Sequence, residues 1–172
     1  SEIIRVGIVL PEDKIQEINI SWSPKLDLES NVPDLKTVHN ISLIVEGDHI
    51  ALKNLPNIKS QTSITISCPD QVESLSTKYG FHIDSVVAGR GFHWEKRIEV
   101  DLPGKLDISI QDGSLKVINF VDVEAYVACV ATSEMGSEAP SDLLAAQTVV
   151  ARCWSLALAE AKHLTDGYDV CN

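Results

Sequence analysis

The sequence contains no long hydrophobic run, no targeting segment and no flexible linker. Its 172 residues include no stretch of the roughly 18 apolar residues that a membrane-spanning helix requires. The opening SEIIRVGIVL has the pattern of a short apolar strand, and it has neither the basic start nor the cleavage site of a signal peptide. Because the chain starts with Ser rather than Met, we expect a mature or trimmed form, which leaves room for an export signal that has been removed.

Positive charge is also scarce. The chain has 14 Lys and Arg residues against 25 Asp and Glu residues, which gives a net charge of -11. Such a charge repels phosphate backbones and anionic lipid surfaces. We therefore expect no nucleic-acid partner.

Cysteines are few, and none stands at the C-x-x-C spacing of a metal site. The four are Cys68, Cys129, Cys153 and Cys171. Three disulfide pairings are possible in principle, and the sequence does not choose among them. The alternative is that Cys68, Cys129 and Cys153 are free thiols packed as small hydrophobic groups.

Up to about residue 120 the sequence predicts short strands separated by turns. No internal repeat or low-complexity tract interrupts them. Leu106, Ile108 and Ile110 alternate with polar residues, as in a half-buried antiparallel strand. The QDGS stretch predicts a hairpin turn. The predicted strands are IIRVGIVL, ISLIVEG, HIALKNL, SITISC, HIDSVVAG, HWEKRIEV, KLDISIQ and SLKVINFV.

After Phe120 the pattern changes to that of two helices. Val123, Tyr126, Val127 and Val130 repeat at helical spacing, and Asp122 precedes them as a candidate N-cap. A second helix is predicted to open at Ser141, and its few polar residues predict that most of its circumference is buried. The fold class is therefore α+β, with a β-rich region over residues 1–115 followed by two packed helices within residues 116–172.

Glu134 is the first candidate for chemistry. It follows the apolar face of the first helix, at or just beyond the helix end, where the helix dipole and nearby apolar groups would raise its pKa. A raised pKa suits a general acid that works near neutral pH. The alternative is that Glu134 and Glu138 are solvated loop carboxylates.

Gln147 and Arg152 are polar residues within the apolar second helix. A buried Arg requires a carboxylate partner, for which Glu124 and Glu134 are candidates. The alternative is that Arg152 reaches past the helix edge to water.

Aromatic side chains are concentrated in GRGFHWEKR, residues 89–97. If Phe92 and Trp94 continued the alternation of the strand that follows, they would share a face with Ile98 and Val100. This pattern favours a core-and-edge role over a platform on which sugars stack.

The helical segment as a whole resembles the SpoIID/LytB family. The family pattern is a V-N-x-V-x-L-E-x-Y-L run, then S-E-M, then a helix with A-L-K-A-Q-A-V-A-A-R-T-Y-A, then Y-D-x-C. The resemblance covers roughly residues 116–172, and its matches are Ile118, Asn119, Glu124, Tyr126, Ser133-Glu134-Met135, Ala146-Gln147, Ala151-Arg152, Tyr168, Asp169 and Cys171.

The resemblance implies cell-wall chemistry. SpoIID proteins are peptidoglycan lytic transglycosylases that act during sporulation, and LytB-type members were described as enhancers of a cell-wall amidase. The family's catalytic acid corresponds to Glu134, and Ser133, Gln147 and Arg152 would contact the substrate or hold the acid. The implied partners are peptidoglycan glycan strands and a cell-wall amidase, and the implied location is outside the cytoplasm, periplasmic or wall-associated.

Departures from the family pattern affect two regions. The usual W-P pair is replaced by Ala139-Pro140, and the T-Y after the Arg by Cys153-Trp154, which changes expected contacts near the second helix. The family's domain continues beyond a position equivalent to Asn172, so we expect an amino-terminal fragment in which residues 116–172 begin a catalytic domain. No cofactor is expected in this chain, although in the complete domain the region of Cys171 is a candidate zinc ligand site.

Overall fold

The computed structural model describes residues 2–68, 80–136, 138–159 and 165–171, without the side chains of residues 132–134, 158 and 159. Strands and helices alternate with short turns. Two short 3₁₀ turns lie at Pro11–Asp13 and Leu35–Thr37. In chain order the strands and helices are β1 (Ile3–Val9), β2 (Glu17–Ser21), β3 (Glu29–Ser30), β4 (Asn40–Glu46), β5 (His49–Leu52), β6 (Ser63–Ser67), β7 (Phe81–Ala88), β8 (Lys96–Leu102), β9 (Lys105–Gln111), β10 (Ser114–Asp122), α1 (Val123–Met135), α2 (Ser141–Ala159) and β11 (Val170–Cys171).

Within the described residues the strands form two sheets. One has the order β11-β1-β10-β9-β6-β3, and the other has the order β5-β4-β2-β7-β8. Neighbouring strands are antiparallel, apart from β11, which runs parallel to β1. The α+β fold class predicted from the sequence is therefore confirmed.

Alternating apolar residues from both sheets form one shared core. Ile64 and Ile66 of β6 are fully buried, and so are Ile41 and Leu43 of β4 in the other sheet. Burying the apolar face of each sheet in this way removes a large apolar area from water, which is the main favourable contribution to folding. The eight predicted strands are all present, and β2, β3 and β11 are additional.

The predicted QDGS hairpin joins β9 to β10. Asp112 and Gly113 both have positive φ, at 53° and 75°, and Ser114 pairs with Gln111. Two consecutive residues of positive φ form the type I′ turn whose twist suits a two-residue hairpin. The strand β10 therefore continues directly from this turn through residue 115, the position at which the sequence suggested a division of the chain.

The helix α1 begins where β10 ends, and Asp122 caps it as predicted. Its Oδ1 accepts hydrogen bonds from the backbone N–H groups of Glu124, at 2.9 Å, and Ala125, at 3.2 Å. The helix α2 begins at Ser141 after the short connection that follows α1, and the two helices pack against each other. A short connection of this kind produces an antiparallel helical hairpin.

The predicted burial of α2 is wrong. Leu143, Val149, Val150 and Trp154 are exposed, whereas Ala151 and Ser155 are buried. The reason is that α1 covers one side of α2, and the described part of the chain places no comparable element on the opposite side. None of the helices described has the length and apolar character needed to cross a membrane.

Candidate functional site

The predicted acid lies in the last turn of α1. Glu134 immediately precedes Met135, the final residue of the helix, and Ser133 precedes Glu134. The side chains of Ser133 and Glu134 lie outside the described part of the structure. Their predicted roles in acid catalysis and substrate contact therefore stay predictions.

Arg152 pairs with Glu124, one of the two carboxylates considered from the sequence. Its Nε donates to Oε1 of Glu124 at 2.7 Å, and the two side chains are 46% and 52% exposed. This hydrogen bond is the main cause that raises the pKa of the Arg152 guanidinium. The pair joins the first turn of α1 to the middle of α2.

The ion pair and Glu134 are at opposite ends of α1. Ten residues separate Glu124 from Glu134 in the sequence, which corresponds to about 15 Å along a helix. Arg152 therefore forms an exposed contact between the two helices, away from Glu134. Contact between Arg152 and the substrate stays a prediction.

Gln147 is half-buried on α2, between the exposed and buried sides of the helix. Nearby, the hydroxyl of Thr148 donates to the backbone carbonyl of Leu144 at 2.7 Å, a bond within the helix itself. Gln147 is thus placed on the hairpin, and its predicted contact with the substrate is untested.

The Tyr168-Asp169-x-Cys171 motif lies at the edge of the first sheet. Arg5 of β1 holds Asp169 by three donors: its backbone N–H at 2.8 Å, Nη2 at 2.8 Å and Nε at 3.3 Å. Burial acts to raise the pKa of Asp169, but the hydrogen bonds from Arg5 outweigh it and the pKa lies below its ordinary value. The motif therefore ties the end of the chain to its first strand.

Tyr168 packs next to the contact between Arg5 and Asp169. It is buried with Leu10 and Ile118, and its ring contacts Gly7, where an added Cβ would lie 3.2 Å from the ring. Burial, assisted by the charge of Asp166, raises the pKa of Tyr168 to about 12. The phenol is therefore neutral at physiological pH and contributes to packing.

Cys171, the predicted zinc ligand, is half-buried on β11. Over the described residues, no group of three or more His, Cys, Asp or Glu side chains could hold a metal ion. A structural zinc site needs four such ligands, and the partner expected for Cys171 belongs to the complete domain, so its role as a zinc ligand stays a prediction. The four cysteines, all among the described residues, form no disulfide. Cys68 is buried, whereas Cys153 is exposed on α2, which departs from the packed position suggested for Cys153.

An open groove of about 730 Å³ lies near Tyr168, and no sequence pattern predicted it. Lys116 spans part of it, donating from Nζ to Oε1 of Gln111 at 2.9 Å and to the carbonyl of Asp166 at 2.6 Å. No local motif could have revealed this groove because its walls come from three distant segments. They are residues 11–16, 111–116 and 166–168.

The aromatic segment 89–97 differs from its prediction. Phe92 and Trp94 lie in the turn before β8, which begins only at Lys96, and they are 63% and 53% exposed. They therefore share no strand face with Ile98 and Val100, and a core role is excluded. The prediction failed because these residues form a turn and do not extend β8.

The fold and these positions define an α+β protein in which a capped helical hairpin carries the Ser-Glu-Met sequence and a sheet edge carries the Tyr-Asp-x-Cys sequence. The SpoIID family model, described as Stage II sporulation protein, matches residues 111–172. This match supports membership of the SpoIID family over that stretch, confirms the resemblance and relates the protein to sporulation and the cell wall. No curated protein and no solved structure matches the chain.

Proposed function

We propose that this protein cleaves peptidoglycan glycan strands as a lytic transglycosylase, with Glu134 as its general acid and base. The observation that carries the proposal is the SpoIID match, which extends over both helices and includes the Ser-Glu-Met sequence. Peptidoglycan lies outside the cytoplasm, so the proposal includes export to the periplasm or wall.

The reaction needs only one carboxyl group. Protonated Glu134 would donate its proton to the glycosidic oxygen as the bond from that oxygen to the anomeric carbon breaks. The resulting carboxylate would then accept the proton of the 6-hydroxyl of the same sugar, whose oxygen bonds to the anomeric carbon. The products are a shortened strand and a 1,6-anhydro end, and no water is consumed. A hydrolase would instead require two carboxyl groups.

The position of Glu134 in the chain supports this role. The last turn of a helix carries the negative end of the helix dipole, which favours the neutral form of a carboxyl group. The hairpin framework is fixed because Asp122 caps α1 and the two helices pack against each other. A fixed framework holds an acid in place relative to a bound strand.

The test is mass spectrometry of the soluble products that the full-length protein releases from peptidoglycan and from peptide-free glycan strands. Glu134→Gln removes the proton donor while preserving shape. Glu138→Gln is the matched control because Glu138 is exposed in the connection between the helices, four residues further along the chain. We expect anhydro-ended products from the parent and from Glu138→Gln, and none from Glu134→Gln.

A non-catalytic wall-binding or amidase-enhancing module is the second candidate. The exposed apolar side chains of α2, including Leu143, Val150 and Trp154, favour it because such a surface suits contact with another protein. Absence of new products from either substrate, together with retained sedimentation onto the wall, would refute catalysis. Faster product release by an added cell-wall amidase would then identify the enhancer.

A further inference from the structure

The turn between β7 and β8 displays two stacked aromatic rings to solvent. The rings of Phe92 and Trp94 have centroids 5.5 Å apart and planes inclined by 15°. Both side chains are more than half exposed, and contiguous exposed apolar surface of this kind marks interaction sites. Their stacking presents a broad, flat apolar surface.

Hydrogen bonds within the turn fix this surface. The backbone N–H of Phe92 donates to the carbonyl of Gly89 at 3.1 Å, and that of Glu95 donates to the carbonyl of Phe92 at 3.0 Å. The backbone N–H of Gly91 donates to Oε2 of Glu95 at 2.9 Å. Gly89 has φ of 70°, and an added Cβ there would collide with the ring of Trp94. The turn therefore requires glycine and holds the Trp94 ring against its backbone.

A buried ion pair anchors the same turn to the core. Arg90 donates from Nε and Nη2 to the two carboxylate oxygens of Asp13, at 2.6 and 2.7 Å, and its Nη2 also donates to the carbonyl of Ile8 at 2.8 Å. The Asp13 side chain is 2% exposed and the Arg90 side chain 14%. The aromatic surface is therefore preorganised, which lowers the entropy cost of binding a ligand.

The residues around the rings are polar and mostly basic. In the chain the rings are flanked by the exposed residues His93, Lys96 and Arg97, and by one exposed acid, Glu95. Sugars combine an apolar face of C–H groups, which stacks on an aromatic ring, with hydroxyl, amide and carboxylate groups that hydrogen-bond at the rim. Stacked bases would use similar rings, but the net charge of -11 opposes a nucleic acid.

We propose that Phe92 and Trp94 form a glycan-binding platform, separate in sequence from the helical hairpin, on which a sugar ring of the wall polysaccharide stacks. This inference rests on the proposed function for the identity of the polysaccharide. The platform would hold the glycan strand while another part of the protein acts on that strand. The basic rim suits sugars that carry a carboxylate, as the muramic acid residues of peptidoglycan do.

The experiment measures sedimentation of the full-length protein with peptide-free glycan strands. All variants carry Glu134→Gln, so that cleavage does not alter the substrate. The test variants are Phe92→Ala with Trp94→Ala, and Phe92→Leu, which keeps an apolar side chain without a ring. Ile3→Ala is the control because it removes a large exposed apolar side chain from β1, where Ile3 is 45% exposed.

We expect the double variant to bind about tenfold more weakly, the effect of losing an aromatic contact, and Phe92→Leu also to bind more weakly. The control should bind as the parent does. Thermal unfolding of each variant checks that the fold is intact. Unchanged binding by the double variant would overturn the platform, and so would full binding by Phe92→Leu or an equal loss in the control. Anhydro-ended products would still support the proposed catalysis in that case, so the two proposals fail separately.

Discussion

The ion pair between Asp13 and Arg90 gives a sharp test of the structure. Asp13→Asn removes one charge while preserving the size of the side chain. The guanidinium of Arg90 would then remain buried with the carbonyl of Ile8 and a neutral amide as its neighbours. In the parent, burial acts to lower the pKa of Arg90, but the hydrogen bond and charge of Asp13 outweigh it and the pKa lies above its ordinary value. The variant loses that compensation, yet Arg90 keeps its charge because a guanidinium stays protonated in proteins.

The expected loss in the free energy of unfolding is about 3 kcal/mol, because removing one partner of a buried pair leaves an uncompensated charge. The pair between Lys53 and Glu17 is the matched control. It has a comparable separation of 3.1 Å, but its side chains are 61% and 41% exposed. Glu17→Gln should therefore cost less than about 1 kcal/mol.

Urea unfolding monitored by circular dichroism measures both values. Adding Arg90→Met to Asp13→Asn should recover part of the lost stability, since it removes the unpaired charge. Equal, small losses in Asp13→Asn and Glu17→Gln would refute the argument that burial makes the first pair important.

Three further changes test other parts of the fold. Asp122→Ala should lower the free energy of unfolding by about 1 kcal/mol in urea unfolding, and Asp122→Asn by less, because Asn also caps helices; equal losses would contradict the capping role. Asp169→Asn should cost about 1–2 kcal/mol at neutral pH, discounted because Arg5 is 43% exposed. Because the pKa of Asp169 is lowered in the folded state, the stabilisation by Asp169 is present above its unfolded pKa and is lost as pH falls through its folded pKa. The difference in stability between the parent and Asp169→Asn should therefore shrink below about pH 4 in thermal unfolding. A difference that does not change with pH would exclude the charge of Asp169 as its source. Arg152→Ala should leave the midpoint of thermal unfolding nearly unchanged because the ion pair of Arg152 is exposed. A large loss of product formation in that variant would show that Arg152 contacts the substrate.

The strands were predictable because their apolar residues alternate and their turns carry local signals. Asp112 and Gly113 predict a type I′ hairpin turn, and Asp122 predicts the start of a helix. The strand β2 carries the same alternation in Ile18 and Ile20, and Pro24 follows its end, so its signal was present and was missed. The strand β11 is too short to show any period.

Features that depend on distant parts of the chain could not be predicted. The contact between Arg5 and Asp169 joins residues 164 positions apart, and no local pattern encodes it. The composition of α2 indicates an apolar helix, but it does not state which side another element covers. For Phe92 and Trp94, alternation pointed to a strand, whereas the glycines at 89 and 91, with φ of 70° and 77°, form a turn that ends the alternation.

The strand β1 connects the two parts of the sequence. It pairs with β10 on one side and with β11 on the other, and Arg5 on β1 binds Asp169. The family match begins at residue 111, so it includes β10 and β11 but not the strand that lies between them. Because unpaired backbone groups in a buried sheet are costly, residues 111–172 depend on β1 for a complete sheet. The helical hairpin starts directly from β10, so the position of Glu134 depends in turn on the amino-terminal strand.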